Sequence, residues 1–193
     1  MDSFTPKANT AYLLLGTNLG DRAANLAQAA ELIGKRAGKV EKRSGVYQTE
    51  PWGVANQPDY WNQVLQVSTP LEPGPLLEIM LGIERDMGRV RHIRWEARLI
   101  DIDMLYFNDQ VIETEQLQVP HPRMAQRRFV LEPLTELAPD FVHPVLGKKN
   151  RKLLEECADE AGVRGLTPDP SPKEGAGHPA LPPADGSPSP CPR

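Results

Sequence analysis

Two aspartates lie two positions apart in an otherwise apolar stretch, at Asp101 and Asp103. Residues 99–107 predict a buried strand, and alternate side chains of a strand point to the same face, so both carboxylates project from one side. Two positions along a strand rise about 6.6 Å, which is close enough for the carboxylates to share cations. Carboxylate oxygens suit Mg²⁺, and Mg²⁺ in proteins usually binds substrate phosphates as well. The apolar residues that alternate with the aspartates are expected to point into a core.

The segment that leads into this strand is rich in arginine, with Arg89, Arg91, Arg94 and Arg98 within ten residues. Guanidinium groups match the geometry of phosphate oxygens. An acidic pair for metal beside an arginine cluster for phosphate favours metal-assisted phosphoryl transfer. A second interpretation stays open, in which the aspartates form a solvated strand face paired with these arginines and bind no metal.

The composition argues against several classes of function. The chain has 193 residues and a formal net charge of −4, whereas a dedicated nucleic-acid-binding protein usually carries a basic excess. Its two cysteines have no metal-ligand spacing. No apolar run approaches the roughly 18 residues that span a bilayer, and no signal peptide is visible. We therefore expect a cytoplasmic protein with no membrane or nucleic-acid partner.

A change of composition divides the chain into a folded domain, residues 10–162, and a tail, residues 163–193. Nine of the 30 residues from Arg164 onward are proline. Such a segment cannot bury enough apolar surface to offset the entropy of ordering it, so we expect the tail to be disordered.

Hydrophobic periodicity within the domain predicts both strands and helices. Strands are expected at residues 10–15, 40–49, 60–68 and 99–107, and helices at about 22–37, 73–87, 126–137 and 148–160. Residues 110–113 are expected to pair back on the last strand as a short hairpin. This order predicts an α+β fold with a mostly antiparallel sheet and packed helices, and it matches the ferredoxin-like βαββαβ arrangement.

The glycine-rich turn after the first strand, residues 16–20, is similar to a phosphate-binding loop only in composition. It lacks the Gly-Lys-Ser/Thr ending of a P-loop and the third glycine of a dinucleotide fingerprint. We interpret it as a strand-to-helix turn near the site. Either Asn18 or Asp21 is expected to cap the helix that follows.

Four short stretches occur in an order that is typical of one enzyme family. They are Gly16-Thr17-Asn18-Leu19-Gly20, the pair formed by residues 47–53 and 57–62, the stretch from Arg98 to Leu105, and residues 119–124 followed by Arg127 and Phe129. Together these stretches resemble the motifs of the 6-hydroxymethyl-7,8-dihydropterin pyrophosphokinases of folate biosynthesis. The resemblance extends from about residue 11 to residue 160.

The resemblance implies transfer of the pyrophosphoryl group of ATP to the hydroxymethyl group of the pterin, with release of AMP. Asp101 and Asp103 would hold two Mg²⁺ ions on the ATP phosphates. Three arginines would neutralise phosphate charge as AMP leaves, namely Arg89, Arg91 and Arg98. Further ATP contacts are implied for Trp95 in a loop that seals the site, and for His121 and Arg127.

On the pterin side, the resemblance implies five residues: Thr49, Trp52, Tyr60, Asn62 and Phe129. A pterin is a flat bicycle with a polar edge, which proteins bind by stacking aromatic rings on its faces and offering amides to its edge. Tyr60 and Phe129 would stack, and Asn62 would bind the edge. Tyr60 and Asn62 lie two positions apart on a strand, which permits a shared site. Without the resemblance, core packing would be the better explanation of both aromatic residues.

The chain also departs from the pattern of some family members, at Trp52, His92 and Pro122. Gln116 and Gln118 occupy positions that can contact adenosine, and no role is assigned to them. Two other classes of function fit the sequence less well, an RNA-binding module and a nucleotide sensor without turnover. The aspartates would repel nucleic-acid phosphates unless metal is bound, and a sensor needs no paired metal ligands. The expected partners are therefore ATP and the pterin, bound by a monomer.

Overall fold

The computed structural model describes residues 8–50, 57–88 and 98–166. Eight strands are present in that part of the chain: β1 Asn9–Thr17, β2 Lys39–Arg43, β3 Val46–Thr49, β4 Tyr60–Thr69, β5 Asp101–Phe107, β6 Ile112–Glu113, β7 Gln118–Val119 and β8 Val163–Leu166. Four α-helices accompany them: α1 Arg22–Arg36, α2 Pro73–Asp86, α3 Arg128–Leu137 and α4 Asn150–Glu155. A short 3₁₀ turn, Met124–Gln126, precedes α3.

The main sheet is antiparallel throughout, with strand order β5-β1-β4-β3-β8. The remaining strand, β2, pairs with the second half of β4. The first four strands of this order reproduce a βαββαβ sheet in which β2 and β3 together form the second strand. The predicted α+β, ferredoxin-like fold is therefore confirmed.

Alternate residues of β1 pack into two different cores, because successive side chains of a strand point to opposite faces. Ala11, Leu13 and Leu15 pack with the apolar residues of α1 and α2, whereas Tyr12 and Leu14 pack with those of α3. Helices therefore cover both faces of the sheet. The apolar residues of β5 that alternate with the aspartates are buried in the first core, as predicted.

The strand predicted at residues 40–49 is divided into β2 and β3. Ser44 accepts a hydrogen bond from the Val64 amide through its side chain (2.9 Å), and the Gly45 amide donates to Glu136 of α3 instead of to β4 (3.0 Å). The register of pairing with β4 shifts by one residue between Arg43 and Tyr47, and such a shift defines a β-bulge. The prediction of a single strand was wrong because side-chain oxygens of Ser44 and Glu136, from distant parts of the chain, replace backbone partners at this point.

Three further predicted elements differ from the structure. Ile112 and Glu113 pair with β7 rather than back on β5. The last predicted helix, residues 148–160, is shortened to α4, because the chain then turns toward α3 and the sheet edge. Helix α3 begins at Arg128 because Arg127 has extended backbone angles.

The tail predicted to begin at residue 163 includes residues that the structure places in the main sheet. Val163–Leu166 form β8 and pair with β3, so these residues belong to the sheet. The remaining tail, residues 167–193, lies outside the described part of the chain. Among the helices that the structure describes, none is both long and apolar enough to span a bilayer.

Candidate functional site

Asp101 and Asp103 lie on the face of β5 opposite the first core. Gly16 of β1 is the register partner of Asp101 on one side and of Asn62 on the other. Register partners point to the same face of a sheet, so Asp101 and Asn62 face the same side. The predicted projection of both aspartates from one face agrees with this geometry, because both line one cavity from which Ile102, buried in the first core, is absent.

The first cavity, called here the aromatic cavity, has a volume of about 320 Å³. This volume falls in the range of roughly 300–1,000 Å³ that is typical of ligand pockets. It brings together eight of the predicted site residues: Thr49, Tyr60, Asn62, Arg98, Asp101, Asp103, Arg127 and Phe129. Residues that are distant in sequence therefore meet around one cavity.

The polar edge of the aromatic cavity is built on β3 and β4. Asn62 and Thr49 are buried, and the Asn62 side-chain amide donates to the Thr49 hydroxyl (3.1 Å). A Cβ atom on Gly16 would lie 3.5 Å from the side-chain oxygen of Asn62, so the glycine leaves additional space beside this oxygen. Burial raises the pKa of Tyr60, and Asp101 adds to the rise while Arg98 opposes it. The tyrosine therefore keeps its proton at neutral pH.

The second cavity, called here the α2 cavity, has a volume of about 670 Å³. It extends from the two aspartates along α2 to the β6–β7 hairpin, and His121 lies at its wall. Gln116 and Gln118, which occupy positions that can contact adenosine but were assigned no role, also line it. Asp101 and Asp103 are the residues that line both cavities, so the two carboxylates stand at the junction between two spaces.

His121 and Arg127 contribute different charges near this junction. Burial, together with the charges of Arg127 and Arg123, lowers the pKa of His121 to about 4, although Asp101 opposes the shift. His121 Nδ1 accepts a hydrogen bond from the Arg123 amide (3.3 Å), so the neutral ring carries its proton on Nε2. The Arg127 guanidinium lies 5.6 Å from the centre of the Phe129 ring, a cation–π distance. Arginine, not histidine, therefore supplies positive charge here.

Arg98 is held at the junction by both its side chain and its backbone. The guanidinium forms an ion pair with Asp101. The Arg98 amide donates to the Asn18 side chain (2.7 Å), and the Asn18 amide donates to the Arg98 carbonyl (3.1 Å). Asn18 also donates to Gln57 (3.3 Å), so it links the segment before β5 to the segment before β4. Helix α1 is capped instead by Asp21, which accepts from the Ala24 amide (3.0 Å).

The donor set at the junction fits Mg²⁺. The described residues contain no cluster of three or more His, Cys, Asp or Glu side chains arranged for a metal. Mg²⁺ is usually held by one or two carboxylates, with waters and substrate phosphates as the other ligands. Asp101 and Asp103 supply the two carboxylates, and both cavities open beside them for the remaining ligands.

Glu84 was missed by the sequence analysis. It is 2% exposed on α2, and its carboxylate accepts a hydrogen bond from the amide of Ile102, the residue between the two aspartates (2.8 Å). A signal was available, since Glu84 follows Met80 by four positions and so falls on the apolar stripe of the helix. Ala161, which lines the aromatic cavity, gave no such signal.

Four of the predicted site residues lie outside the described part of the chain: Trp52, Arg89, Arg91 and Trp95. Their roles in binding pterin, ATP and phosphate stay predictions. The departure noted at His92 lies in the same undescribed segment, residues 89–97.

Comparison with known proteins agrees with this geometry. A family model described as 7,8-dihydro-6-hydroxymethylpterin-pyrophosphokinase (HPPK) matches residues 12–139. The 2-amino-4-hydroxy-6-hydroxymethyldihydropteridine pyrophosphokinase of Bacillus subtilis is 47% identical over 130 residues, which cover 67% of this chain and 78% of that protein. The protein of the same name from Methylorubrum extorquens is 46% identical over 154 residues, which cover 79% and 96% respectively.

A crystal structure of HPPK-DHPS from Plasmodium falciparum has a TM-score of 0.64 and 20% identity. The likeness covers 79% of this chain and 46% of that chain, so this chain spans less than half of the larger protein. At this identity the likeness concerns the fold alone. The family match and the two closely related pyrophosphokinases go further, and they show that the chain belongs to the 7,8-dihydro-6-hydroxymethylpterin-pyrophosphokinase family.

Proposed function

We propose that this chain transfers the pyrophosphoryl group of ATP to the hydroxymethyl oxygen of 6-hydroxymethyl-7,8-dihydropterin and releases AMP, as a step of folate biosynthesis. The observation that carries the proposal is the position of Asp101 and Asp103 between two cavities of different character. A transfer between two substrates requires that their reacting ends meet. In this arrangement the pterin occupies the aromatic cavity and ATP occupies the α2 cavity.

Asp101 and Asp103 are the proposed ligands of Mg²⁺, and two ions are proposed. Bound Mg²⁺ would polarise the β-phosphorus and lower the cost of deprotonating the attacking hydroxyl. The chain itself orients these ligands, because the Ile102 amide between them is held by the buried Glu84 carboxylate. The ion pair of Arg98 with Asp101 keeps a guanidinium where phosphate charge would develop.

Pterin recognition is proposed for Tyr60, Phe129, Asn62 and Thr49. Support comes from their positions around one cavity and from the Asn62–Thr49 hydrogen bond, which fixes the orientation of the Asn62 amide. The Asn62 carbonyl and its second N–H can then pair with the polar edge of the ring. Trp52 is proposed to complete this edge.

ATP recognition is proposed for His121 and Arg127, together with Arg89, Arg91, Trp95 and Arg98. The His121 ring is neutral at pH 7 and offers an Nε2 proton, so it would donate a hydrogen bond without adding charge. Arg127 and Arg98 line the junction and would neutralise phosphate oxygens during transfer.

We further propose that the protein acts as a monomer in the cytoplasm, without a nucleic-acid or membrane partner. The residues that are described around both cavities all come from one chain. Light scattering on the purified protein would test the oligomeric state.

The reaction is tested by incubating the protein with ATP, Mg²⁺ and the dihydropterin alcohol. AMP is expected to form in step with pterin consumption. Formation of ADP, or no turnover, would contradict the proposed reaction. Identification of the pterin product by mass should show the addition of two phosphoryl groups.

The Asp103→Asn variant tests the proposed metal binding, because it keeps the size of the side chain and removes its charge. We expect turnover to fall by about 100-fold or more while the pterin still binds. Near-normal turnover in this variant would contradict the metal assignment. Loss of pterin binding would show instead that the aromatic cavity had been disturbed.

A further inference from the structure

The segment from residue 159 to residue 166 reaches the aromatic cavity from outside the region matched by the family model, residues 12–139. Ala161 lines this cavity together with Thr49 and Phe129. Two residues later, Val163 pairs with Thr49 across the edge of the sheet. The segment therefore forms part of the wall on the side proposed for the pterin.

Asp159 fixes this segment to the start of α3. One carboxylate oxygen accepts from the Arg128 amide (2.9 Å), and the other accepts from the Ala161 amide (3.0 Å). The Asp159 main-chain carbonyl also accepts from the Arg128 guanidinium (3.2 Å). Both carboxylate oxygens are thus engaged, one with the helix and one with the wall of the cavity.

The start of α3 needs such a partner. The first four amides of a helix have no acceptor within the helix, and a side chain at the N-cap position usually supplies one. The residue at that position here is Arg127, which makes no such hydrogen bond. A carboxylate at a helix N-terminus is also favoured by the helix dipole. Asp159, which lies in another segment, supplies the hydrogen-bond acceptor that the N-cap residue Arg127 does not.

The residues on either side of Arg128 are Arg127 and Phe129, and both line the aromatic cavity. A hydrogen bond to the Arg128 amide restrains the backbone from which Phe129 projects. Phe129 lies in the first turn of α3, where helices otherwise fray. Restraint of this turn would set the angle at which the Phe129 ring meets a flat ligand.

We propose that Asp159 is a positioning residue for the pterin site, which holds the Phe129 ring in place through the Arg128 amide, and that Ala161 forms part of the same wall. This inference rests on the proposed function, because it assigns the aromatic cavity to the pterin. It adds to the site a segment that the family match does not reach.

The experiment compares Asp159→Ala with Asp140→Ala in the full chain. Asp140 is the matched control, since its exposed carboxylate pairs with Lys149 and Arg151 rather than with α3. The readouts are kcat, the KM of each substrate, and the dissociation constant of the pterin measured by its fluorescence. Thermal unfolding shows whether each variant is folded.

We expect Asp159→Ala to raise the pterin KM and dissociation constant by about fivefold, because the first turn of α3 would no longer hold the Phe129 ring in place. The ATP KM and kcat should change by less than about twofold, and Asp140→Ala should resemble the unmodified chain. Asp159→Asn keeps one acceptor oxygen and should give an intermediate pterin KM. Such partial rescue would not follow from a general loss of stability.

Ala161→Leu tests the wall without removing the cap. The larger side chain should weaken pterin binding and leave the ATP KM unchanged. The proposal is overturned if Asp159→Ala leaves pterin binding unchanged or weakens both substrates equally, and its second part is overturned if Ala161→Leu binds pterin normally. Failure of the unmodified chain to bind the pterin would instead contradict the proposed function.

Discussion

At the scale of single residues, the site separates charge from hydrogen bonding. Asp101, Asp103, Arg98 and Arg127 carry charge around the junction of the two cavities, whereas Tyr60 and His121, whose pKa burial lowers to about 4, are neutral at pH 7. Neutral groups can donate or accept hydrogen bonds without competing for a metal or a phosphate. This separation suits a reaction in which a highly charged substrate meets a neutral one.

The shifted pKa of His121 predicts a pH dependence of stability. The unfolded chain binds a proton at His121 below about pH 6.5, whereas the folded chain binds it only near pH 4. The unfolded state therefore holds more protons between these values, so the free energy of unfolding should fall as the pH is lowered through this window. Urea unfolding at pH 7, 6 and 5, in the presence of a chelator, measures this slope.

The comparison variant is His121→Asn, which keeps an acceptor for the Arg123 amide and does not titrate. Its free energy of unfolding should decrease less between pH 7 and pH 5 than that of the unmodified chain. His143, whose pKa is also lowered by burial, is present in both chains, so its contribution cancels. Equal slopes in the two chains would show that the His121 pKa is not lowered in the folded state.

At the scale of elements, the connection between α1 and β2 depends on one glycine. Gly38 has a positive φ of 144°, and a Cβ atom there would lie 2.3 Å from the Ser68 carbonyl oxygen of β4. This close approach packs the C-terminal end of α1 against β4, which is the strand that carries Tyr60 and Asn62. No side chain can occupy this position without moving backbone.

Gly38→Ala is therefore expected to lower the free energy of unfolding by about 2 kcal/mol or more. Gly34→Ala is the matched control, because Gly34 is exposed within α1 and a Cβ atom there meets only Val40, at 3.9 Å. Replacing a helical glycine by alanine should raise stability by about 0.5–1 kcal/mol. Chemical unfolding of the two variants should give shifts of opposite sign, and shifts of the same sign would contradict this account.

At the scale of the whole molecule, the sheet joins parts of the chain that are far apart in sequence. The aromatic cavity takes residues from β1, β3, β4 and β5, from α3, and from the segment before β8. β8 lies at one edge of the main sheet and β5 at the other. The folded part of the chain therefore extends through Leu166 and beyond the tail boundary predicted at residue 163.

Two truncations test this boundary. A chain that ends at Leu166 is expected to keep kcat and both KM values within about twofold, because the described residues that line the cavities all precede it. A chain that ends at Gly162 lacks β8 and should show a lower melting temperature and weaker pterin binding. The melting temperature and the pterin dissociation constant are the measurements. Loss of activity in the longer truncated chain would show that residues 167–193 contribute to the site.

The sequence by itself determined the class of fold and the face of the strand on which Asp101 and Asp103 lie. Strict alternation around Asp101 and Asp103 placed both carboxylates on one face, because strand geometry depends only on sequence spacing. The order of the predicted strands and helices likewise led to the ferredoxin-like arrangement. Each element could be predicted because its hydrophobic periodicity depends on residues that are close together in sequence.

Tertiary structure alone decided what depends on contacts between distant segments. The bulge at Ser44, the pairing of β6 with β7, and the strand β8 each result from a hydrogen-bond partner that local propensity does not specify. The same is true of the Asp159 hydrogen bond to α3 and of the two cavities that meet at the aspartates. A partner far along the chain leaves no periodic trace in the sequence, so only the folded chain reveals it.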